Sequence, residues 1–174
     1  MSTLITNTIQ DVSTIKRSSS VTAATIDSSG YVDTTKASVG RVFNNAHFNI
    51  ANDTVTLMEF NTVQFDPNSW WNSSTHKFTP TVAGYYHIHA SVRWNTGTDF
   101  EIGDLYLYKN SDVLIQAASL RNERYETLVL TSLQYLDGSD SIYIKVLQNS
   151  GSTIAVRGSS TGAESNFSLA RHIG

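Results

Sequence analysis

From residue 84 to residue 94 the chain alternates without a break. Tyr86, Ile88, Ala90, Val92 and Trp94 fall on one side, and Tyr85, His87, His89, Ser91 and Arg93 on the other. Successive side chains of a strand point to opposite faces. The pattern therefore predicts a strand with one apolar face on a core and one amphipathic face turned away from it. Two polar loops precede this strand. Asp66-Pro67-Asn68-Ser69 is a turn signal, because Pro fixes φ while Asp and Asn bond back to the local backbone. Asn72-Ser73-Ser74-Thr75 is the second.

The same reading extends along the chain. Val42-Phe43 with residues 48–50 suggests a first strand, and Asn52-Asp53 turns the chain into residues 54–60. After a loop at 95–98, strands are expected over 103–108, 113–120, 127–136, 141–148 and 153–157, with a last one opening at Ser165. Turn chemistry separates them at Lys109-Asn110-Ser111-Asp112, Asp137-Gly138-Ser139-Asp140 and Asn149-Ser150-Gly151-Ser152. No stretch has helical periodicity, and no internal repeat is present. Many short strands divided by turns predict an all-β sandwich or jelly roll.

Residues 1–38 differ. Ser and Thr dominate, and Leu4, Ile5, Ile9, Val12 and Ile15 are scattered. Residues 21–26 and 31–35 around Asp27-Ser28-Ser29-Gly30 read as a small hairpin. So few apolar side chains do not return the backbone entropy that ordering costs. The segment is expected to order against partner chains, with Leu4, Ile5, Ile9 and Val12 as its anchoring contacts. The division expected is an N-terminal arm, 1–38, and a head, 39–174.

Composition narrows the function. Of 174 residues 40% are hydrophobic and only 16% charged, which suits a β protein rich in branched and small polar residues. The net charge is −3 with no cluster of Lys or Arg, so no nucleic-acid partner is expected. The chain has no cysteine, which excludes a disulfide framework and a thiolate zinc site. No apolar run is long enough to cross a bilayer, and the first residues lack a signal-peptide core. Membrane insertion is not expected.

The large residues of the central stretch carry a resemblance. Phe60, Asp66, Trp71, Phe78, Gly84 and Tyr86 stand at the spacings F-x5-[ND]-x4-[FYWL]-x6-F-x5-G-x-Y. This resembles the signature of the complement-1q-like domain, a jelly roll related to tumour necrosis factor. The pattern continues with Phe and an aromatic, where this chain has Ile88 and Ala90. Residues 103–120 resemble the family's strand–KNG–strand element with Ser111 for Gly, and Ser165-Asn166-Phe167-Ser168 its closing Ser-x-Phe-Ser. The resemblance covers 41–173. It implies a jelly-roll sandwich of about ten strands, a homotrimer, and loops that bind ligands. Tyr85, His87 and His89 would then lie at the trimer interface. Thr3-Leu4, Asn7-Thr8-Ile9-Gln10-Asp11 and Thr25-Ile26-Asp27-Ser28-Ser29-Gly30 resemble N-terminal stretches of tailed-bacteriophage fibre proteins, especially of phages infecting cyanobacteria.

Candidate chemistry is sparse. His87 and His89 have a chelating spacing but no evident third ligand. Asp99, Glu101 and Asp104 flank one loop and offer the oxygens calcium takes, against the plain reading of a solvated acidic loop. His76 and His172 read as isolated surface residues. The pattern G-x-x-x-x-G-K-[ST] does not occur, and no pair of acids has a distinguishing spacing. No catalytic residue, metal or cofactor is assigned. Trp71 is expected in the core as the signature aromatic. Trp70 should then point outward and could stack on a sugar or partner. The expectation is a non-enzymatic virion protein: a trimeric short tail fibre or host-attachment knob, tied to other virion proteins through residues 1–38 and meeting a host glycan or receptor. The alternatives are a capsid decoration protein and a cellular lectin-like adhesion module.

Overall fold

The computed structural model describes residues 14–18, 21–26, 28–30, 32–34, 37–95, 103–119 and 126–172. The chain divides into two units, Met1–Ala37 and Ser38–Gly174. In the first, β1 (Thr14–Ser18), β2 (Val21–Ile26) and β3 (Val32–Thr34) form an antiparallel sheet in that order. β2 and β3 are the expected hairpin, turning through Gly30 at φ 84°. β1 was not expected, because its residues have no apolar alternation. Leu4, Ile5, Ile9 and Val12 lie outside the described residues.

The second unit is all β in its described residues. It comprises β4 (Val39–Phe43), β5 (Phe48–Ile50), β6 (Thr56–Leu57), β7 (Thr62–Phe65), β8 (Trp71–Asn72), β9 (Lys77–Phe78), β10 (Gly84–Asn95), β11 (Gly103–Lys109), β12 (Asp112–Ser119), β13 (Thr127–Leu136), β14 (Ile142–Gln148), β15 (Ile154–Val156) and β16 (Asn166–Arg171). One sheet runs β13–β10–β16–β4–β7, and past Ser91 the end of β10 pairs with β15, which pairs with β5. The other runs β12–β11–β14–β9–β8, with β6 also on β14. All these pairings are antiparallel, and the two sheets enclose one core, the expected jelly-roll sandwich.

Among the described residues this unit has thirteen strands, several of only two or three residues, where about ten were expected. The connections pair only two or three residues at a time, so each contact is a separate strand. Of residues 54–60 only Thr56 and Leu57 pair, although Met58 and Phe60 are fully buried. The single first strand expected from residues 42–50 is two strands. β4 lies on β16 and β5 on β15.

The core follows the alternation. Tyr86, Ile88, Ala90, Val92 and Trp94 of β10 are completely buried. They meet Leu105 and Leu107 of β11 and Ile142, Ile144 and Val146 of β14 in one cluster. An aromatic group fills one part of it. Phe78 lies 4.9 Å from Trp71 and 5.3 Å from Phe167, and Phe60 lies 5.9 Å from Phe167.

Local chemistry sets the entry to β10. The Asp66 carboxylate accepts the Trp71 amide at 2.7 Å, and the Ser69 amide donates to the Asp66 carbonyl at 3.1 Å. Asn72 Oδ1 accepts the amides of Ser74 and Thr75. Gly84 has φ 154°, and a Cβ there would sit 2.6 Å from Arg171 Nε. That guanidinium donates twice to the Ala83 carbonyl, at 3.2 and 3.0 Å. A side chain at 84 would displace it.

Burying a phenyl ring and then deleting it leaves a cavity that costs about 3–5 kcal/mol. Phe78→Ala is expected to lose that much stability by denaturant titration. A change below about 1 kcal/mol would show that the aromatic group does not hold the sandwich together.

Candidate self-association face

β10 carries its second face outward. Tyr85 and His87 are exposed and His89 is half-buried. Register extends this face across five strands. Tyr135, Leu133 and Thr131 of β13 stand opposite Tyr85, His87 and His89. On the other side Ala170 and Ser168 of β16 stand opposite His87 and His89, and Val39 and Arg41 of β4 lie beyond them. Phe65 of β7 pairs with Arg41 at the far edge.

This face is apolar and uncovered. Phe65 is 43% exposed, Tyr85 56%, Val129 54%, Leu133 51% and Tyr135 50%. Scattered surface apolar residues are ordinary; a continuous set on one sheet marks a contact surface. Tyr85 and Tyr135 meet edge to face at 5.4 Å, forming a ridge. Beside it is a hollow of about 240 Å³, walled chiefly by Val39, Arg41, Phe65, His87, His89 and Ser168.

Its charge is one-sided. The strands β4, β7, β10, β13 and β16 hold no Asp or Glu. Their arginines are engaged. Arg41 donates to Gln64 Oε1 and to the Gly162 carbonyl, Arg93 pairs with Glu164 at 3.5 Å, and Arg171 holds Ala83. Burial, and secondarily the Arg41 charge, holds the His89 imidazole below its ordinary 6.5. Its Nδ1 lies 3.4 Å from the Thr131 hydroxyl.

The outer face of the second sheet is a different surface. Tyr108 and Tyr143 stack at 5.2 Å, with Lys145 4.5 Å from the Tyr108 ring and Lys77 4.3 Å from that of Tyr143. Cations over rings keep their heads in water while covering the apolar surface. Next to them Asp104 Oδ2 accepts from Tyr106 at 2.7 Å and from Gln116 at 3.1 Å. Burial and this carboxylate push the Tyr106 hydroxyl up to about 12.

The remaining expected site residues are placed as follows. Phe60, Phe78 and Tyr86 are core, Asp66 caps its turn, and Gly84 opens β10. Trp70 is a correction. It is 3% exposed, packs edge to face on Tyr86 at 5.8 Å, and donates from Nε1 to the Thr81 hydroxyl at 3.2 Å. It presents no ring to a sugar or partner. Trp71 is the partly buried one of the pair, against Phe60, Phe78 and His76. Alternation does not apply here, because Trp70 precedes a strand of two residues and the returning segment at Thr79–Thr81 covers it. His172 is exposed but not isolated: its ring meets His87 edge to face at 5.5 Å. Asp104 is buried rather than solvated, while Asp99 and Glu101 lie outside the described residues. Among the described residues no three His, Cys, Asp or Glu side chains converge. Sequence reasoning missed Phe65, Val129, Leu133 and Tyr135. The signal was present in residues 127–136, where Leu128 and Leu130 alternate with Val129, and Leu133 and Tyr135 with Ser132 and Gln134.

No protein-family model and no curated protein matches the chain. Solved structures do. The chain is similar to Eiger TNF from S. frugiperda, with TM-score 0.59 and 9% identity over 78% of this chain and 92% of that one. It is similar to murine APRIL at pH 8.0, with TM-score 0.60 and 11% identity over 79% of this chain and all of that one. A third is the globular domain of zebrafish complement 1qA protein, with TM-score 0.53 and 16% identity over 79% and 98%. These likenesses show the fold, a jelly roll of the tumour necrosis factor and complement-1q kind.

Trp70→Ala is expected to cost about 3–5 kcal/mol, as for a buried aromatic, measured by thermal or denaturant unfolding. An exposed ligand-contacting Trp would change stability by under about 0.5 kcal/mol.

Proposed function

We propose that this chain is a non-enzymatic homotrimeric module that assembles through the outer face of the β13–β10–β16–β4–β7 sheet. The observation that carries the reading is that face: Phe65, Tyr85, Val129, Leu133 and Tyr135 stand about half exposed on one sheet with no carboxylate among its strands. Burying such side chains returns roughly 25 cal/mol per Å², and closed point symmetry is the common way to bury a surface on copies of itself. The ridge of Tyr85 and Tyr135 and the hollow beside it supply unlike surfaces that can meet across a rotation.

The finer reading is a virion structural protein of a tailed bacteriophage: a trimeric short tail fibre or host-attachment knob tied to the particle by residues 1–38. Support comes from the resemblance of the arm's short segments to phage fibre proteins, and from the hairpin of β2 and β3 around Gly30, since unpaired strand edges accept a partner strand. Ligand contact falls to the loops at the ends of the sandwich.

Mass measurement of the full chain at micromolar concentration is expected to give a trimer. Leu133→Glu is expected to give a folded monomer, because the residue touches solvent in the single chain and a carboxylate would be desolvated without a partner in the assembly. A wild-type monomer would overturn the assembly. A chain beginning at Ala37 should keep the oligomeric state and β-rich circular dichroism but fail to join the particle. Incorporation without the arm would remove its anchoring role. Imaging the particle then locates the knob: at the tail as a fibre, or at the capsid as a decoration protein.

A further inference from the structure

We propose that the apolar sheet face is an acid-sensitive interface, in which protonation of His87, His89 and His172 separates copies of this chain. The inference rests on the reading of this face as the trimer contact and adds its regulation. Placement is the first argument. His87 and His89 stand at the centre of the outward face, between β13 and β16. Both wall the hollow, and His172 adds its ring to that of His87 at 5.5 Å.

What surrounds them is the second. β13 offers Thr131, Leu133 and Tyr135, and β16 offers Ser168 and Ala170. β4 offers Arg41 and β7 offers Phe65. β10 itself offers Tyr85, and Arg93, which is paired with Glu164. Acids outside these strands each hold a partner of their own. Glu164 also holds Arg157 at 2.9 Å, Asp66 accepts the Trp71 amide, Asp137 accepts from Ser139, and Asp140 takes Lys109 at 2.8 Å. Among the described residues of the five strands, an imidazolium on this face therefore meets the Arg41 guanidinium and no carboxylate.

The sign follows. Burial already holds His89 below 6.5 in the single chain, and covering the face by another copy removes more water from all three rings. A base whose pKa falls on association is bound most tightly when neutral. The assembly is at full strength above the free-chain value, which for His89 lies below 6.5, and weakens as pH falls through it. Carboxylates do not compensate, since the five strands have none.

The test follows the mass of the full chain by analytical ultracentrifugation from about pH 7.5 to about pH 5. A trimer at the upper pH is expected to weaken about tenfold or more at the lower, one pKa unit at one site being a factor of ten. The triple variant His87→Gln, His89→Gln, His172→Gln should stay associated at acid pH, whereas His47→Gln should dissociate like the wild type. Monomer at both pH values overturns the reading of the face itself. A trimer equally tight at both overturns only the acid switch, as does a triple variant that still dissociates in acid. Should that variant fold poorly, imidazole NMR titration of the wild-type trimer decides. The His89 ring is expected to titrate below 6.5, and an ordinary or raised value would overturn the proposal.

Discussion

The constraint on which the molecule depends is the two-sidedness of β10. It is the longest strand, and it pairs with β13 along one edge and with β16 and then β15 elsewhere. Its inward row, from Tyr86 to Trp94, is completely buried and meets both sheets. Its outward row lies at the centre of the uncovered face. A slip of one residue would exchange the rows, placing two histidines and an arginine in the core. The strand is fixed at its start by the contact of Gly84 with Arg171 and the hydrogen bonds of Arg171 to Ala83. Tyr86 adds a bond from its hydroxyl to the Val82 carbonyl at 2.6 Å.

The two outer faces of the sandwich differ in how they meet water. On the β12–β11–β14 sheet, Lys77 and Lys145 cover tyrosine rings, each contact contributing about 0.5–1 kcal/mol at an exposed site. Polar partners occupy the hydroxyls: Tyr143 donates to the Asn110 carbonyl and Tyr106 to Asp104. On the β13–β10–β16–β4–β7 sheet Tyr85, Leu133 and Tyr135 stay about half exposed, and the arginines are held by fixed partners. The asymmetry, more than total hydrophobicity, distinguishes the two faces, because the same sequence supplies a better covered face for comparison.

Turns tie the ends of the strands. Asn110, at φ 54°, receives the Ser141 amide on Oδ1 and donates to Asp140 Oδ1 at 2.7 Å. Lys109 meets the other Asp140 oxygen at 2.8 Å. Burial would raise the Asp140 pKa, but these bonds outweigh it and hold the carboxyl below 3.8. The stabilisation is present above the unfolded value and lost as pH falls through the lower folded one. The turn between β11 and β12 is thereby fixed to the turn between β13 and β14, beside the Lys109–Ile142 end of the β11–β14 ladder.

Much of this was legible in the chain itself. Alternation from residue 84 to 94 set both faces of β10, and turn residues placed the breaks at Asp66–Ser69, Lys109–Asp112 and Asp137–Asp140. The spacing of Phe60, Phe78 and Tyr86 identified three buried rings. These are local properties: a period of two and the backbone preferences of Asn, Asp, Gly and Pro act within a few residues, so sequence determines them. The orientation of Trp70 and Trp71 did not follow, because a two-residue strand has no period and what covers Trp70 arrives from Thr81. Nor did the burial of Asp104 or the meeting of His87 with His172, which are brought together by strand pairing between distant segments. The breadth of the apolar face was likewise decided by tertiary structure alone. Phe65, Tyr85 and Leu133 are single exposed residues on three separate strands, and they become one surface only when the ladders set β7, β10 and β13 in a common sheet.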